Sequence, residues 1–196
     1  MVRGYRAIGI TDHAGPGNLE WVIQRLKADC ELVSREWGIL AIPGVELTHL
    51  PPAAIPELAR RAKALGALVV VHGETPVEPV TPGTNRAAVG CPDVDILGHP
   101  GLLTEEEAAL AAANGVFLEI SARRGHSLAN GHVVRVARRA GARLVLNSDA
   151  HDPADLMTPG FARTVALGAG LERDELAAVL EENPRTLLAR LGYRVD

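Results

Sequence analysis

The sequence predicts an α/β protein with a parallel sheet. Short apolar runs rich in Val, Ile and Leu alternate with longer segments whose apolar residues recur at helical spacing. The connections between them are short, as right-handed βαβ crossovers require. A hydrophobic content of 47% in 196 residues suffices for one sizeable core, and the sequence contains no linker, repeat or low-complexity tract. We therefore expect a single domain over residues 1–196.

Six segments have the buried, uncharged and β-branched character of strands in such a sheet. The second is expected to break at Pro43-Gly44 and to continue over residues 45–47. The six predicted strands cover residues 7–11, 39–42, 68–71, 95–98, 116–120 and 144–146.

Helical segments separate these strands. The first follows Asn18, a good N-cap residue, and ends at Gly38; Thr104 and Glu107 have the spacing of a capping box at the start of another. Further helices are predicted over residues 55–65, 105–113 and 133–140 and in the tail from residue 171, where Pro184 starts a last short helix. Residues 75–92, rich in Pro and Gly, are predicted as a long irregular loop, and loops of that length tend to be functional.

Every predicted strand ends in, or carries, a side chain that can bind a cation. Because the carboxyl ends of parallel strands open on one face of a barrel, these groups should converge there. One strand-end histidine is more often structural, but six successive strands with His, Asp or Glu favour a metal site. Histidine and carboxylate without cysteine suit Zn, Mn or Fe, and so many candidates suggest more than one metal position. The groups are Asp12, His13, Glu46, His72, His99, Glu119, Asp149 and His151.

These residues resemble the polymerase-and-histidinol-phosphatase (PHP) superfamily of phosphoesterases. Thr11-Asp12-His13 resembles its second motif, and Pro43-Gly44-Val45-Glu46 its glutamate motif. His72 and His99-Pro100 resemble its mid-barrel histidines, and Asp149-Ala150-His151 its final motif. Thr-Asp-His alone is a weak signal, but five motifs in order across essentially the whole chain are specific. Residues 72–86 and 124–132 resemble a histidinol-phosphatase-like subgroup.

The resemblance implies a distorted (βα)7-type barrel with two or three divalent metal ions (Zn, Mn or Fe). It gives Asp12 a catalytic role, as a further ligand or as a residue that orients a neighbouring one. The expected activity is hydrolysis of a small phosphate monoester, similar to histidinol phosphate, by a metal-bound hydroxide. The implied metal ligands are His13, Glu46, His72, His99, Asp149 and His151.

Four residues are candidates for binding the phosphorylated substrate. Arg86 and Arg123 offer a guanidinium fork that fits phosphate, and His126 and His132 follow the fifth strand. An alternative stays open: the arginines are solvated surface residues, and the histidines only cap the helix that follows.

The chain departs from the family pattern at its start. The family barrel begins with a strand that bears His-x-His, and no His-x-His occurs in this sequence. We therefore expect about six strands, the first of the barrel being absent, with residues 1–5 inside the helix that leads into Thr11-Asp12-His13. Three explanations stay open: the start is internal to a longer gene, which we favour, the chain is a functional short variant, or it is an inactive relative.

The bulk composition bears on partners and location. A net charge of −4 and an aromatic content of 3% give no reason to expect nucleic acid or a membrane, so a small phosphorylated substrate is the expected partner. Two isolated cysteines and the lack of a signal peptide suggest a cytoplasmic protein; the oligomeric state stays open.

Two other functions stay open. One is a catalytically impaired PHP-barrel binding module, since one RNA-associated subunit shares this barrel while lacking most metal ligands. The other is an amidohydrolase-type barrel acting on C–N bonds, although the Pro-Gly-Val-Glu and Asp-Ala-His motifs favour the phosphoesterase.

Overall fold

A computed structural model describes residues 3–194 of the chain. Six strands form one parallel sheet in chain order: β1 (Ala7–Ala14), β2 (Leu40–Leu47), β3 (Leu68–His72), β4 (Ile96–Gly98), β5 (Phe117–Ser121) and β6 (Leu144–Asn147). Seven α-helices connect and follow them: α1 (Leu19–Trp37), α2 (Ile55–Ala64), α3 (Thr84–Val89), α4 (Glu105–Asn114), α5 (Asn130–Ala140), α6 (Pro159–Gly168) and α7 (Asn183–Arg190).

The sheet curls into an incomplete barrel. Within residues 3–194, β1 and β6 each pair with a single neighbour, and a cleft of about 700 Å³ opens between them. The predicted α/β architecture with six parallel strands is confirmed for residues 3–194. The leading helix expected over residues 1–5 is not: Arg3 lies in a turn, and Gly4 and Tyr5 have no regular structure. Met1 and Val2 lie outside the described residues.

Alternation along the strands sorts the side chains into two cores. In β3, Val69 and Val71 face the helices, while Leu68 and Val70 face the barrel interior. The inner core also contains Phe117 and is closed at one end by Leu187 of α7. The same alternation places the inward-facing residues at the ends of β2, β3 and β5 in the mouth of the barrel.

The break expected at Pro43-Gly44 is absent, and β2 runs straight through it. Pro43 is tolerated because the pairing of β2 with β3 begins one residue later, at Gly44 opposite Leu68, so no ladder hydrogen bond is lost. Gly44 permits a close strand approach: a Cβ there would lie 2.7 Å from Thr11 Cγ2 and 2.8 Å from the Leu68 carbonyl oxygen. The motif is thus part of the strand that aims Glu46.

Most of the capping residues predicted for the helices are found at the helix ends. The capping box of Thr104 and Glu107 is formed, and Gly38, Gly115 and Gly141 end their helices in the left-handed conformation as expected. Asn18 precedes α1, but its side chain accepts from Gly15 N–H rather than from the helix. The loop predicted over residues 75–92 contains α3, because residues 84–89 pack Ala88 and Val89 into the core. Across residues 3–194, none of the helices is long and apolar enough for a transmembrane segment.

Candidate functional site

Five side chains meet in the mouth of the barrel and form two overlapping groups. Glu46, His72 and His99 make up the first group, and His99, His126 and Asp149 make up the second. Within each group the potential ligand atoms all lie within 4.8 Å of one another. We call these five residues the strand-end cluster; His99 belongs to both groups and lies at its centre.

The contacts within the strand-end cluster are close. Glu46 Oε1 lies 3.0 Å from His72 Nδ1 and 3.4 Å from His99 Nε2. Asp149 Oδ2 lies 3.9 Å from Nε2 of both His99 and His126. The His99 ring centroid is 4.4 Å from that of His72 and 4.2 Å from that of His126. Spaces of this size between nitrogen and oxygen donors suit divalent cations.

Protonation in the cluster follows from burial and from the neighbouring charges. Burial disfavours the Glu46 carboxylate, but the side-chain hydrogen bonds to His72 and His99 outweigh it and hold the pKa of Glu46 well below its usual range. Burial also opposes the charge on His99, yet Glu46 and the nearby carboxylates of Glu119 and Asp149 raise its pKa. Burial, with His99 close by, lowers the pKa of His126 to about 4, so its ring is neutral at pH 7.

Two buried ring nitrogens lack a hydrogen-bond partner among residues 3–194. They are Nε2 of His72 and Nδ1 of His99. Buried polar atoms of proteins are nearly always satisfied, so unsatisfied ones call for an explanation. A neutral imidazole nitrogen is also the form that coordinates a metal, and the donor set of three histidines and two carboxylates fits a divalent cation such as Zn, Mn or Fe.

Glu119 lies beside the cluster and contacts the backbone of His99. Its buried carboxylate accepts from Asn147 Nδ2 at 2.8 Å, and its other oxygen lies 3.4 Å from the backbone nitrogen of His99. Burial raises the pKa of Glu119 to about 7. The carboxyl group thus supports the backbone of His99 from within the barrel.

Backbone strain concentrates at this face. Within residues 3–194, the non-glycine residues with positive φ are His49, His99 and Asp149, at 52°, 27° and 48°. Such conformations are uncommon for residues with a Cβ and tend to occur at functional sites. The His49 ring lies 5.5 Å from that of His72, at the edge of the cluster.

The other predicted metal residues lie on the open rim of the barrel. Asp12, His13 and His151 are exposed. The rings of His13 and His151 are 5.9 Å apart, and His151 Nδ1 lies 3.6 Å from Asp149 Oδ1. Asp12 accepts a hydrogen bond from the His13 backbone N–H. The structure therefore brings four of the six predicted ligands together and leaves two beside them on the rim.

Two of the four predicted substrate-binding residues lie at the cluster, and two lie away from it. His126 joins the cluster, and Arg123 contacts Asp149 and His151 next to it. Arg86 is exposed on α3, where its nearest acidic partner is Glu106 at 3.9 Å. Both ring nitrogens of His132 have partners outside the cluster, the Leu103 carbonyl oxygen and Arg135.

Glu78 is a site residue that the sequence analysis did not single out. Its carboxylate oxygens lie 3.9 Å from His72 Nε2 and 3.8 Å from His126 Nε2. It belongs to a Pro-rich loop whose ends are fixed by Glu74, which accepts from the backbone N–H groups of Gly83 and Asn85. The only available signal was its place in the long loop after the third strand.

None of the protein-family models matches the chain, but individual proteins do. It is 47% identical over 189 residues to the uncharacterized protein MJ1295 of Methanocaldococcus jannaschii, which covers 95% of this chain and 87% of that protein. It is 30% identical over 168 residues to ribonuclease P protein component 3 of Methanosarcina acetivorans, covering 78% of this chain and 68% of that protein. The same component of Methanosarcina mazei is 27% identical over 202 residues, covering 95% and 78%.

Two solved structures share the fold. A chain in the cryo-EM structure of an archaeal ribonuclease P with mature tRNA matches with a TM-score of 0.76 at 15% identity, covering 97% of this chain and 84% of that chain. Histidinol phosphate phosphatase from Lactococcus lactis, complexed with zinc, L-histidinol and phosphate, matches with a TM-score of 0.54 at 16% identity, covering 87% and 84%. At such low identities these likenesses concern the fold alone.

These relatives correct two expectations. Hydrolysis of a small phosphate monoester and the absence of a nucleic-acid partner are both contradicted, because the named relatives are ribonuclease P components. The histidinol-phosphatase-like subgroup finds no support in them either. The net charge was a poor guide to a nucleic-acid partner for a physical reason. A net charge of −4 sums the whole surface, whereas contacts with RNA depend on local groups. The chain belongs to the family of ribonuclease P protein component 3, built on a PHP-type barrel.

Proposed function

We propose that this chain is an RNA-associated protein component of a ribonucleoprotein of the ribonuclease P kind. The observation that carries the proposal is its relation to component 3, which extends over 78% of this chain at 30% identity. The fold comparison supports it, since the TM-score is 0.76 for the ribonuclease P chain and 0.54 for the phosphatase.

Exposed aromatic side chains also support a role in an assembly. Both tryptophans, Trp21 and Trp37, lie on α1 and are each 62% exposed. Tryptophan is among the residues enriched where proteins bind partners. The single-domain organisation over residues 1–196, which remains a prediction, would place this surface and the barrel mouth on one unit.

Recovery of the chain from the organism that encodes it tests this function. A tagged copy would be crosslinked to RNA with ultraviolet light, purified under denaturing conditions, and its bound RNA sequenced. We expect enrichment of one structured RNA, and native preparations that hold this RNA should cleave precursor tRNA. An unrelated barrel with the same tag is the control. Recovery of no RNA above that control would contradict the proposal.

We also propose that the strand-end cluster binds one or two divalent cations of the Zn, Mn or Fe class. The unpartnered nitrogens of His72 and His99 support this proposal. Glu46, His72 and His99 would hold one cation, and His126 and Asp149 would hold a second. His13 and His151 would complete the coordination from the rim.

A bound cation of this kind polarises a coordinated oxygen and neutralises negative charge. Glu119 and Asn147 would hold the His99 backbone in place, and the contact of Glu46 with Nδ1 would fix the orientation of the His72 ring. The catalytic role of Asp12 remains a prediction that depends on this cation.

Elemental analysis of the purified chain tests the cation proposal. We expect at least about one equivalent of metal after reconstitution with zinc or manganese, and its removal by a chelator. Repeated preparations that contain no metal after reconstitution would contradict it. The result is independent of whether RNA is bound.

A further inference from the structure

A second cleft opens beside the strand-end cluster. It has a volume of about 950 Å³ and lies between the carboxyl ends of β5 and β6 and the first turn of α6. Its lining includes Arg3, Arg123, Arg124, Val77 and Phe161. His151 lies at the border between this cleft and the cluster. We call it the arginine cleft.

The arginines of this cleft retain free hydrogen-bonding capacity. Arg124 is exposed and makes no ion pair with any of residues 3–194. Arg123 uses one terminal nitrogen for the Asp149 carbonyl oxygen and His151, at 3.2 and 2.8 Å, and its Nε lies 3.6 Å from Asp149 Oδ2. Its other terminal nitrogen has no partner within the same part of the chain. Guanidinium groups with free donors bind phosphate well because their planar fork matches two phosphate oxygens.

Two acidic side chains, Glu78 and Asp155, line the cleft beside its three arginines, so positive charge is in excess. The Asp155 carboxylate is occupied by the backbone N–H groups of His151 and Asp152, both at 3.0 Å. Glu78 has His72 and His126 as its nearest partners, on the cluster side. Arg124 therefore presents the unpaired positive charge of the cleft, and Arg123 adds the free terminal nitrogen of a guanidinium that is paired with Asp149.

The cleft also carries an exposed aromatic ring. Phe161 lies on the first turn of α6 and is 50% exposed, whereas Phe117, the other phenylalanine, is completely buried. Val77, also partly exposed, adds apolar surface. An accessible ring beside cationic groups is the combination on which unpaired bases stack while their phosphates are neutralised.

We infer that the arginine cleft binds an unpaired RNA strand, with phosphate groups on Arg123 and Arg124 and a base against Phe161. The inference rests on the proposed RNA-associated function and names its contact site. The cleft is open rather than enclosed, which suits a continuous strand better than a small metabolite, since sites for small ligands bury most of the ligand.

The test measures binding of fluorescein-labelled RNA by the purified full chain, using anisotropy. The probes are a single strand of about 12 nucleotides and a duplex of about the same length. The variants are Arg124→Gln and Phe161→Ala. Their matched controls are Arg35→Gln, an exposed arginine at the other end of the sheet, and Leu167→Ala, a half-exposed residue at the far end of α6. Circular dichroism confirms that each variant folds.

We expect Phe161→Ala to weaken single-strand binding by about tenfold, since base–aromatic stacking contributes roughly that much. Arg124→Gln should weaken binding and reduce the slope of log affinity against log salt by about 0.7, the value for one phosphate contact on a single strand. The controls should bind like the unmodified chain, and the duplex should bind less tightly than the single strand.

The outcomes separate this inference from the proposed function. If the unmodified chain binds RNA and both cleft variants bind as tightly as their controls, the inference is wrong and the proposed function stands. Preference for the duplex, with no effect of Phe161→Ala, also overturns the inference. If the chain binds neither probe and recovers no RNA after crosslinking, the proposed function fails and the inference with it.

Discussion

The two sides of the barrel mouth differ in how firmly the fold holds their polar residues. On the closed side, β2 to β5 pair with a strand on each flank, and Glu46, His72 and His99 are buried in mutual contact. On the open side, β1 and β6 each pair with one neighbour, and His13 and His151 are exposed. Both sides carry strand-end histidines. The closed side therefore offers a fixed donor set, and the open side leaves its groups free to adapt to a partner.

The largest effect should come from the centre of the closed side. Because His99 belongs to both ligand groups, His99→Ala should weaken zinc binding by at least about 100-fold. Competition with a chromogenic chelator measures the affinity. The matched control is His132→Ala, which removes a histidine whose ring contacts lie outside the cluster. Equal losses in the two variants would remove the distinction between cluster and surface histidines.

Glu119 should make the metal-free chain less stable as the pH rises. Burial raises its pKa to about 7 from the model-compound value of 4.5, against the opposing influence of His99 and with help from Asp149 and Glu46. Between these two pH values the folded state holds a proton that the unfolded state has lost, so the free energy of unfolding falls as the pH rises. The penalty is absent below pH 4.5 and complete above pH 7.

Replacing Glu119→Gln should therefore stabilise the chain at pH 8 by on the order of 3 kcal/mol relative to its effect at pH 4.5. Urea denaturation at the two pH values, with a chelator present, measures this difference. Glu106→Gln, at an exposed carboxylate, is the control. A Glu119→Gln effect that does not change with pH would show that the carboxyl is ionised in the folded state.

Glu78 tests whether the loop above the closed side belongs to the site. Its distances of 3.8 and 3.9 Å to His126 and His72 place it within reach of a cation held there. Glu78→Gln should lower zinc affinity by about tenfold. The loss of a group that supports a metal ligand costs from about 10-fold to about 100-fold in affinity. Glu106→Gln serves again as the control in the chelator competition. Unchanged affinity would assign Glu78 to the solvated loop surface.

The smallest effect should come from the rim. His13 and His151 are exposed beside the cluster, and the His151 ring already contacts Arg123, so the double replacement by alanine should lower zinc affinity by only about threefold, less than one decade. The same chelator competition gives the value. A loss as large as that of His99→Ala would mean that the open side closes on the cation, and the contrast between the two sides would disappear.

The sequence predicted the strands better than the connections. The residues ending β2, β3 and β4 could be placed because inward-facing strand residues of one sheet must converge. Glu46, His72 and His99 meet as that argument requires. Helix α3 was missed because its six residues are too few for a periodic pattern. Pro43 suggested a break in the second strand. The sequence does not show that β3 lies beside β2, nor that their pairing starts only after Pro43.

The site assignments depended on side-chain direction, which the sequence does not contain. His126 and His132 are six residues apart in one connection, yet His126 turns into the cluster and His132 towards the Leu103 carbonyl oxygen. The RNA-associated function that we propose was only an alternative from the sequence for a similar reason. Whole-chain charge does not reveal that Arg123, Arg124 and Phe161 line one cleft of the folded chain.

The positive φ angles of His49, His99 and Asp149 have a consequence for selection experiments. A left-handed backbone costs a residue with a Cβ about 1 kcal/mol, which glycine avoids. A screen of random variants for heat resistance alone should therefore enrich glycine at all three positions. A screen that also demands metal binding should accept glycine at position 49 and reject it at positions 99 and 149. Sequencing the survivors of both screens would distinguish residues retained for chemistry from those the fold can spare.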